Sequence, residues 1–176
     1  MTIHSEMAAH RVQQLAKQHC TSEKEGDKLP YIVAGDWNIK PPDAAYKLLT
    51  TGTLPTDDPA YPEPAKSKYN PDQTLMTWEP RIEGMRSAYA TAHDGQEPDF
   101  TNYAAPRSTE EDDQGFIDTL DYIFLSPEWK VLETTEIPNR SDVKGPFPNL
   151  ATGVREPSDH ILIHAKLELT NGPLNE

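Results

Sequence analysis

The chain has 176 residues (19.7 kDa), enough for one domain with a sizeable core and with no sign of two, but 35% hydrophobic residues, a mean hydropathy of -0.74 and 17 prolines predict long loops on a modest core. A formal net charge of -13 excludes a general nucleic-acid-binding surface, which needs clustered Lys and Arg, yet leaves room for a metal-dependent phosphoesterase, because bound cations invert the local sign of a carboxylate site. The single Cys20 excludes an internal disulfide and a thiolate-built zinc site, and no apolar run approaches the roughly 18 residues of a membrane span, so a soluble intracellular protein, cytoplasmic or nuclear, is expected.

In chain order, Met1 to His4 reads as the end of a strand, and Glu6 to Gln18 as a helix with Met7, Ala8, Val12, Leu15 and Ala16 near the face that covers a sheet. Thr21 to Leu29 is a polar connection containing Gly26. The next stretch, Tyr31-Ile32-Val33-Ala34-Gly35-Asp36-Trp37-Asn38, is an apolar strand that ends on an acid and an amide and is closed off by Pro41-Pro42. Ligands of α/β sheets bind where such strands leave the sheet. Alternation puts Asp36 and Asn38 on one side of an extended chain. A carboxylate there can take a proton from water or hold a hard cation, and an amide can donate to a phosphate oxygen. The same pair also suits a turn Asp and a helix-capping Asn. A short helix follows from Pro42 and Asp43 to Leu49, ended by Gly52.

Five prolines between Thr53 and Gln73 predict loop. Leu75 to Trp78 reads as a short strand, Met85 to Ala90 as a strand or a helical turn, and the acidic run Glu110 to Asp113 as part of a solvated loop. Phe116 to Leu125 is predicted as one strand, rich in aromatic and β-branched residues, with Asp121 inside it. A carboxylate in that setting is costly unless a donor or cation answers it. Lys130 to Ile137 is the next strand and Pro138 to Pro157 is irregular. Ser158-Asp159-His160 then enters a strand with Ile161, Ile163, Ala165, Leu167 and Leu169 on one face. A hydrogen bond from His160 to Asp121 would fix the imidazole's tautomer and leave its other nitrogen to act on a phosphoryl group. Ser158 lacks the glycine-flanked turn of a hydrolase nucleophile.

Gly35-Asp36-Trp37-Asn38, Leu120-Asp121-Tyr122-Ile123-Phe124 and Ser158-Asp159-His160, in this order and separated by long loops, resemble the endonuclease/exonuclease/phosphatase superfamily. Phe100-Thr101-Asn102-Tyr103, Phe116 and the helix after Pro42 are similar to its deadenylase-like branch, the carbon-catabolite-repressor-type and nocturnin-type enzymes. The resemblance implies an α/β fold, the C-terminal part of a two-sheet sandwich, over residues 1–170 with a tail at 171–176. It implies Asp36 as the acid that activates water and, with Asp159, binds Mg2+ or Mn2+. Asn38 would contact the scissile phosphate, Asp121 orient His160, and His160 stabilise the transition state or assist the proton balance. Phe116 would stack on a nucleobase, with Asn102 and His4 as further substrate contacts.

The family's N-terminal half, which brings an asparagine and a magnesium-binding glutamate, has no counterpart in these residues, so weak catalysis by this chain alone and an apolar sheet face open to a missing half or a protein partner are expected. The implied substrate is a nucleic-acid 3′ end. The alternatives are a small nucleotide, sugar or lipid phosphate, or a binding module that has lost its chemistry.

Overall fold

The computed structural model describes residues 1–21, 27–105, 115–143, 145–147 and 158–170. Gly26, the acidic run Glu110 to Asp113, most of the irregular stretch before Ser158 and the tail at 171–176 lie outside the described residues. The elements in chain order are α1 (Thr2–Gln18), β1 (Ile32–Asp36), α2 (Ala44–Thr51), β2 (Ala65–Lys66), β3 (Thr74–Met76), β4 (Arg86–Ser87) and α3 (Ala88–Ala92). They continue with β5 (Asn102–Ala104), β6 (Phe116–Asp118), β7 (Asp121–Leu125), β8 (Trp129–Thr134) and β9 (Ala165–Leu169). The chain is thus mixed α/β, as expected, with its strands gathered in several small sheets. It divides into two compact units.

The first unit joins Met1–Tyr31 to Pro42–Met85. Two expectations for its first helix are corrected. Met1 to His4 is not a strand end, because α1 already begins at Thr2. The buried face of α1 is also polar, made by Thr2, Ser5, Glu6, Ala9, Gln13 and Ala16, while Met7 and Leu15 are exposed. The cause is a set of polar partners, most of them backbone groups far along the chain. Gln13 Nε2 donates to Glu83 O at 2.8 Å and to the Tyr31 hydroxyl at 2.9 Å, its Oε1 accepts from Glu83 N at 2.9 Å, and Glu6 Oε1 accepts from Arg81 N at 3.3 Å. Each such bond satisfies a group that would otherwise be buried unpaired, at a cost of about 1–3 kcal/mol. α2 follows its sequence signals, with Asp43 at the N-cap and Gly52 closing the helix at φ 75°. Leu48 and Leu49 are buried in this unit's core. β2 and β3 form a small antiparallel ribbon.

The second unit joins Ile32–Pro41 to Arg86–Glu176. Its central sheet has the antiparallel order β1-β7-β4, and the β1 to β7 register sets Ile32 against Leu125 and Asp36 against Asp121. Phe100, Tyr122, Phe124 and Leu125 make its core. Burial of each contributes about 1.5–3 kcal/mol. Tyr122 and Phe124 stack at 5.2 Å, Trp37 meets Phe124 edge-on at 5.5 Å, and the Tyr122 hydroxyl reaches Ile39 O at 2.9 Å. The strand predicted over Phe116 to Leu125 is divided, because Thr119 and Leu120 leave the ladder between β6 and β7. The last strand is also shorter than its alternation suggests. Ile161 to His164 keep the half-buried, exposed alternation, but β9 pairs with β8 only from Ala165.

Candidate active site

The site is assembled within the second unit by three segments that the sheet and its neighbours pin together. β1 delivers Asp36 at its end, and Trp37 N donates to Leu120 O at 2.9 Å, so the chain leaving β1 stays beside the start of β7. Asn38 then takes a left-handed conformation, φ 52°, and its backbone N–H donates to Asp36 Oδ1 at 2.8 Å. Asparagine tolerates that region better than most residues, since its short side chain bonds locally. The second segment is β5, paired with β6 so that Asn102 faces Asp118 and Ala104 faces Phe116.

Asp159 and His160 form the third segment, which runs antiparallel to β5. Asn102 and His160 form a bridge, Tyr103 N donates to Asp159 O at 2.8 Å, Asn102 Nδ2 donates to the same oxygen at 3.2 Å, and Ile161 N donates to Thr101 O at 2.7 Å. The His160 imidazole is thereby carried to Asp121, with Nδ1 at 2.8 Å from Asp121 Oδ2 and Nε2 at 3.9 Å from Asp36 Oδ2. The expected Asp121 to His160 pair is present. Burial works against the charged imidazole, but the Asp121 hydrogen bond and the charges of Asp121, Asp36 and Asp159 outweigh it, so the His160 pKa lies above its ordinary 6.5.

Asp36, Asn38, Asn102, Phe116, Leu120, Asp159 and His160, with Ala104, Ala105 and Gly115, line one open cavity of about 460 Å³. Six of the residues singled out from sequence thus share it. Asp121 stands behind His160 with its side chain 14% exposed. His4 is on α1 in the first unit and is not among the lining residues. Sequence reasoning missed two contributors. Thr101 is fully buried, and its hydroxyl donates to Asp121 Oδ2 at 2.7 Å. Lys40 Nζ sits 5.9 Å from the centre of the Phe116 ring and 3.6 Å from Asp118 Oδ2. Thr101 stands inside the quoted Phe100-Thr101-Asn102-Tyr103 motif, whereas nothing in the local pattern marks Lys40.

The donor chemistry of the cavity suits a hard cation, since Asp36 and Asp159 offer carboxylate oxygens and Asn38 and Asn102 offer amide oxygens. The number of strong ligands is short. Among the described residues no three His, Cys, Asp or Glu side chains form a group able to hold a metal ion. Two carboxylates with water and substrate oxygens are the usual complement for Mg2+. Also among the described residues, no helix is long and apolar enough to cross a membrane.

The region 22–160 matches the profile of the Endonuclease/Exonuclease/phosphatase family. The chain is 31% identical over 143 residues to "Carbon catabolite repressor protein 4 homolog 4" of Arabidopsis thaliana, covering 78% of this chain and 27% of that protein. It is 33% and 30% identical, over 146 and 151 residues, to the "CCR4-Not complex 3'-5'-exoribonuclease subunit Ccr4" of Aspergillus clavatus and Aspergillus terreus, covering 80% and 82% of this chain. The aligned segments make up 18% and 19% of those two proteins, so the chain spans well under a third of the length of the relatives it matches.

Proposed function

Because the chain belongs to the endonuclease/exonuclease/phosphatase family, on its carbon-catabolite-repressor-like, deadenylase-type branch, we propose that its cavity hydrolyses the phosphodiester at a nucleic-acid 3′ end. The observation that carries this reading is the convergence of Asp36, Asn38, Asp159 and His160 on one cavity, with the imidazole held 2.8 Å from Asp121. An acid, an amide donor and an oriented imidazole are what in-line attack of water on phosphorus requires.

Asp36 orients the attacking water and takes its proton as the water oxygen bonds to phosphorus. The P–O3′ bond breaks, the leaving 3′ oxygen takes a proton from solvent, and a 5′-nucleotide is released. Asn38, turned by its left-handed backbone, and His160, through Nε2–H of its protonated imidazolium form, hold the non-bridging oxygens. Hydrogen bonds aimed at charge that develops in the transition state supply the largest single share of such catalysis. Phe116, 39% exposed at the cavity, offers a ring on which the terminal base stacks, worth about 1–3 kcal/mol per base. A Mg2+ or Mn2+ ion held by Asp36 and Asp159 would neutralise phosphoryl charge there. Water and substrate oxygens would complete its ligand shell.

The test is cleavage of a 5′-labelled oligoadenylate by the purified chain in the presence of magnesium, with Asp36→Ala alongside. Products shortened one nucleotide at a time and absent with the variant are expected. Turnover of a small phosphomonoester with no action on the oligonucleotide would replace this reading with the phosphatase alternative. Binding of the oligonucleotide without turnover, even when an N-terminal family half is supplied, would reduce the chain to a binding module.

A further inference from the structure

Thr101 is a fully buried threonine at the back of the site, and its one hydroxyl has three partners in the structure. The oxygen lies 2.9 Å from Leu120 N and 3.0 Å from Asp121 N, and 2.7 Å from Asp121 Oδ2. Both backbone amides can only donate, so they occupy the two lone pairs of the hydroxyl. Its single proton is then left with one destination, Asp121 Oδ2. That oxygen also meets His160 Nδ1 at 2.8 Å. As a carboxylate, Asp121 only accepts, so the proton in this contact belongs to Nδ1.

We infer that Thr101 is a positioning residue whose hydroxyl, oriented by the Leu120 and Asp121 amides, locks the Asp121 carboxylate and through it holds neutral His160 as the Nδ1–H tautomer, with the Nε2 lone pair turned to the cavity. The same threonine belongs to the segment that positions His160 from the other side, because Thr101 O accepts from Ile161 N at 2.7 Å. One residue therefore fixes the backbone that carries the histidine and the carboxylate that orients it. Its effect on turnover rests on the phosphodiester-hydrolase reading; the tautomer does not.

The experiment is nitrogen-15 NMR of the histidine side chains in the full 176-residue chain, with His160 assigned by loss of its signals in His160→Gln. Above the imidazole's titration, neutral His160 is expected to carry its proton on Nδ1, and the Thr101 hydroxyl proton is expected to exchange slowly with water. A neutral imidazole protonated on Nε2, or a fast-exchanging Thr101 hydroxyl, would overturn the inference whether or not the protein is active. Thr101→Val keeps the shape but removes both the donor to Asp121 and the acceptor of the Leu120 and Asp121 amides. It is expected to give a mixture of tautomers and about a tenfold loss in kcat with KM changed less than about twofold, and Thr101→Ser is expected to restore both. A folded Thr101→Val chain with a single Nδ1–H tautomer and undiminished kcat would also overturn it. If that variant does not fold, the two wild-type signals decide. A wild-type chain that shows the expected tautomer and hydrolyses nothing, with or without an added N-terminal family half, would sink the hydrolase reading and leave the positioning role standing.

Discussion

Asp36 and His160 face each other across 3.9 Å at a partly exposed cavity and carry little of the core, so losing either side chain removes chemistry rather than packing. Asp36→Ala and His160→Ala are each expected to abolish oligonucleotide cleavage, at least a hundredfold by analogy with the loss of one transition-state donor, while circular dichroism and the unfolding midpoint stay close to wild type. Unfolding of both variants would assign the pair to structure. Phe116 differs, because it meets the base and not the phosphorus. Phe116→Ala should weaken cleavage of an oligonucleotide about tenfold or more and leave a generic phosphodiester nearly untouched; equal losses on the two substrates would remove the stacking role. His160 also links stability to pH. Its pKa is raised in the folded state, so its contribution is fully present below about 6.5, the ordinary value, and is lost as pH rises through the raised one. Denaturant midpoints measured across that interval should fall with rising pH in the wild type, and the fall should be smaller in His160→Gln.

At the scale of elements, α2 offers a sharp test of what its sequence signals mean. Gly52 closes the helix at φ 75°, and a Cβ there would come within 2.8 Å of Ile82 O and 2.9 Å of Gly84 N, both backbone atoms that cannot swing away. Gly52→Ala therefore combines a left-handed alanine, about 1–2 kcal/mol, with a displaced neighbouring strand of chain. A loss of at least about 2 kcal/mol is expected, read as a lower thermal midpoint, and an unchanged midpoint would mean that the Ile82–Gly84 segment moves freely. The α2 boundaries were legible because Pro42-Asp43 and Gly52 are local start and stop signals, and β1 was legible because a short apolar run between a polar connection and prolines is a strand signal. What periodicity could not show was set by distant partners. α1 buries Gln13 and Glu6 because the backbone at Arg81 to Glu83 bonds to them, about 70 residues away in sequence. The break between β6 and β7 has the same kind of cause. The Thr101 hydroxyl takes the amides of Leu120 and Asp121, which removes two donors from any continuous ladder. Asp36, Asn38, Asp121 and His160 could be named from their motifs, but Thr101 and Lys40 act through groups 19 or more residues off, and no single-sequence pattern records that.

For the molecule as a whole, a net charge of -13 attracts divalent cations, whereas a site with only two carboxylates is poorly equipped to retain one. The negative field draws cations toward the protein, but retention depends on ligand number and rigidity, and Asp36 is 46% exposed with one oxygen already bonded to Asn38 N. Such a pair should hold Mn2+ only weakly, in the roughly millimolar range seen for hard-cation sites of low ligand charge. Paramagnetic broadening of His160 and Asn102 signals on Mn2+ titration reads that affinity directly, with Asp159→Asn as the control that should weaken it further. The relatives that match this chain are several times its length. If a further segment of the family fold supplies a carboxylate to this site, adding that segment should tighten Mn2+ binding and raise turnover together. Micromolar binding by the 176-residue chain alone would mean that its own ligand set is complete and would remove the need for a second segment at the metal.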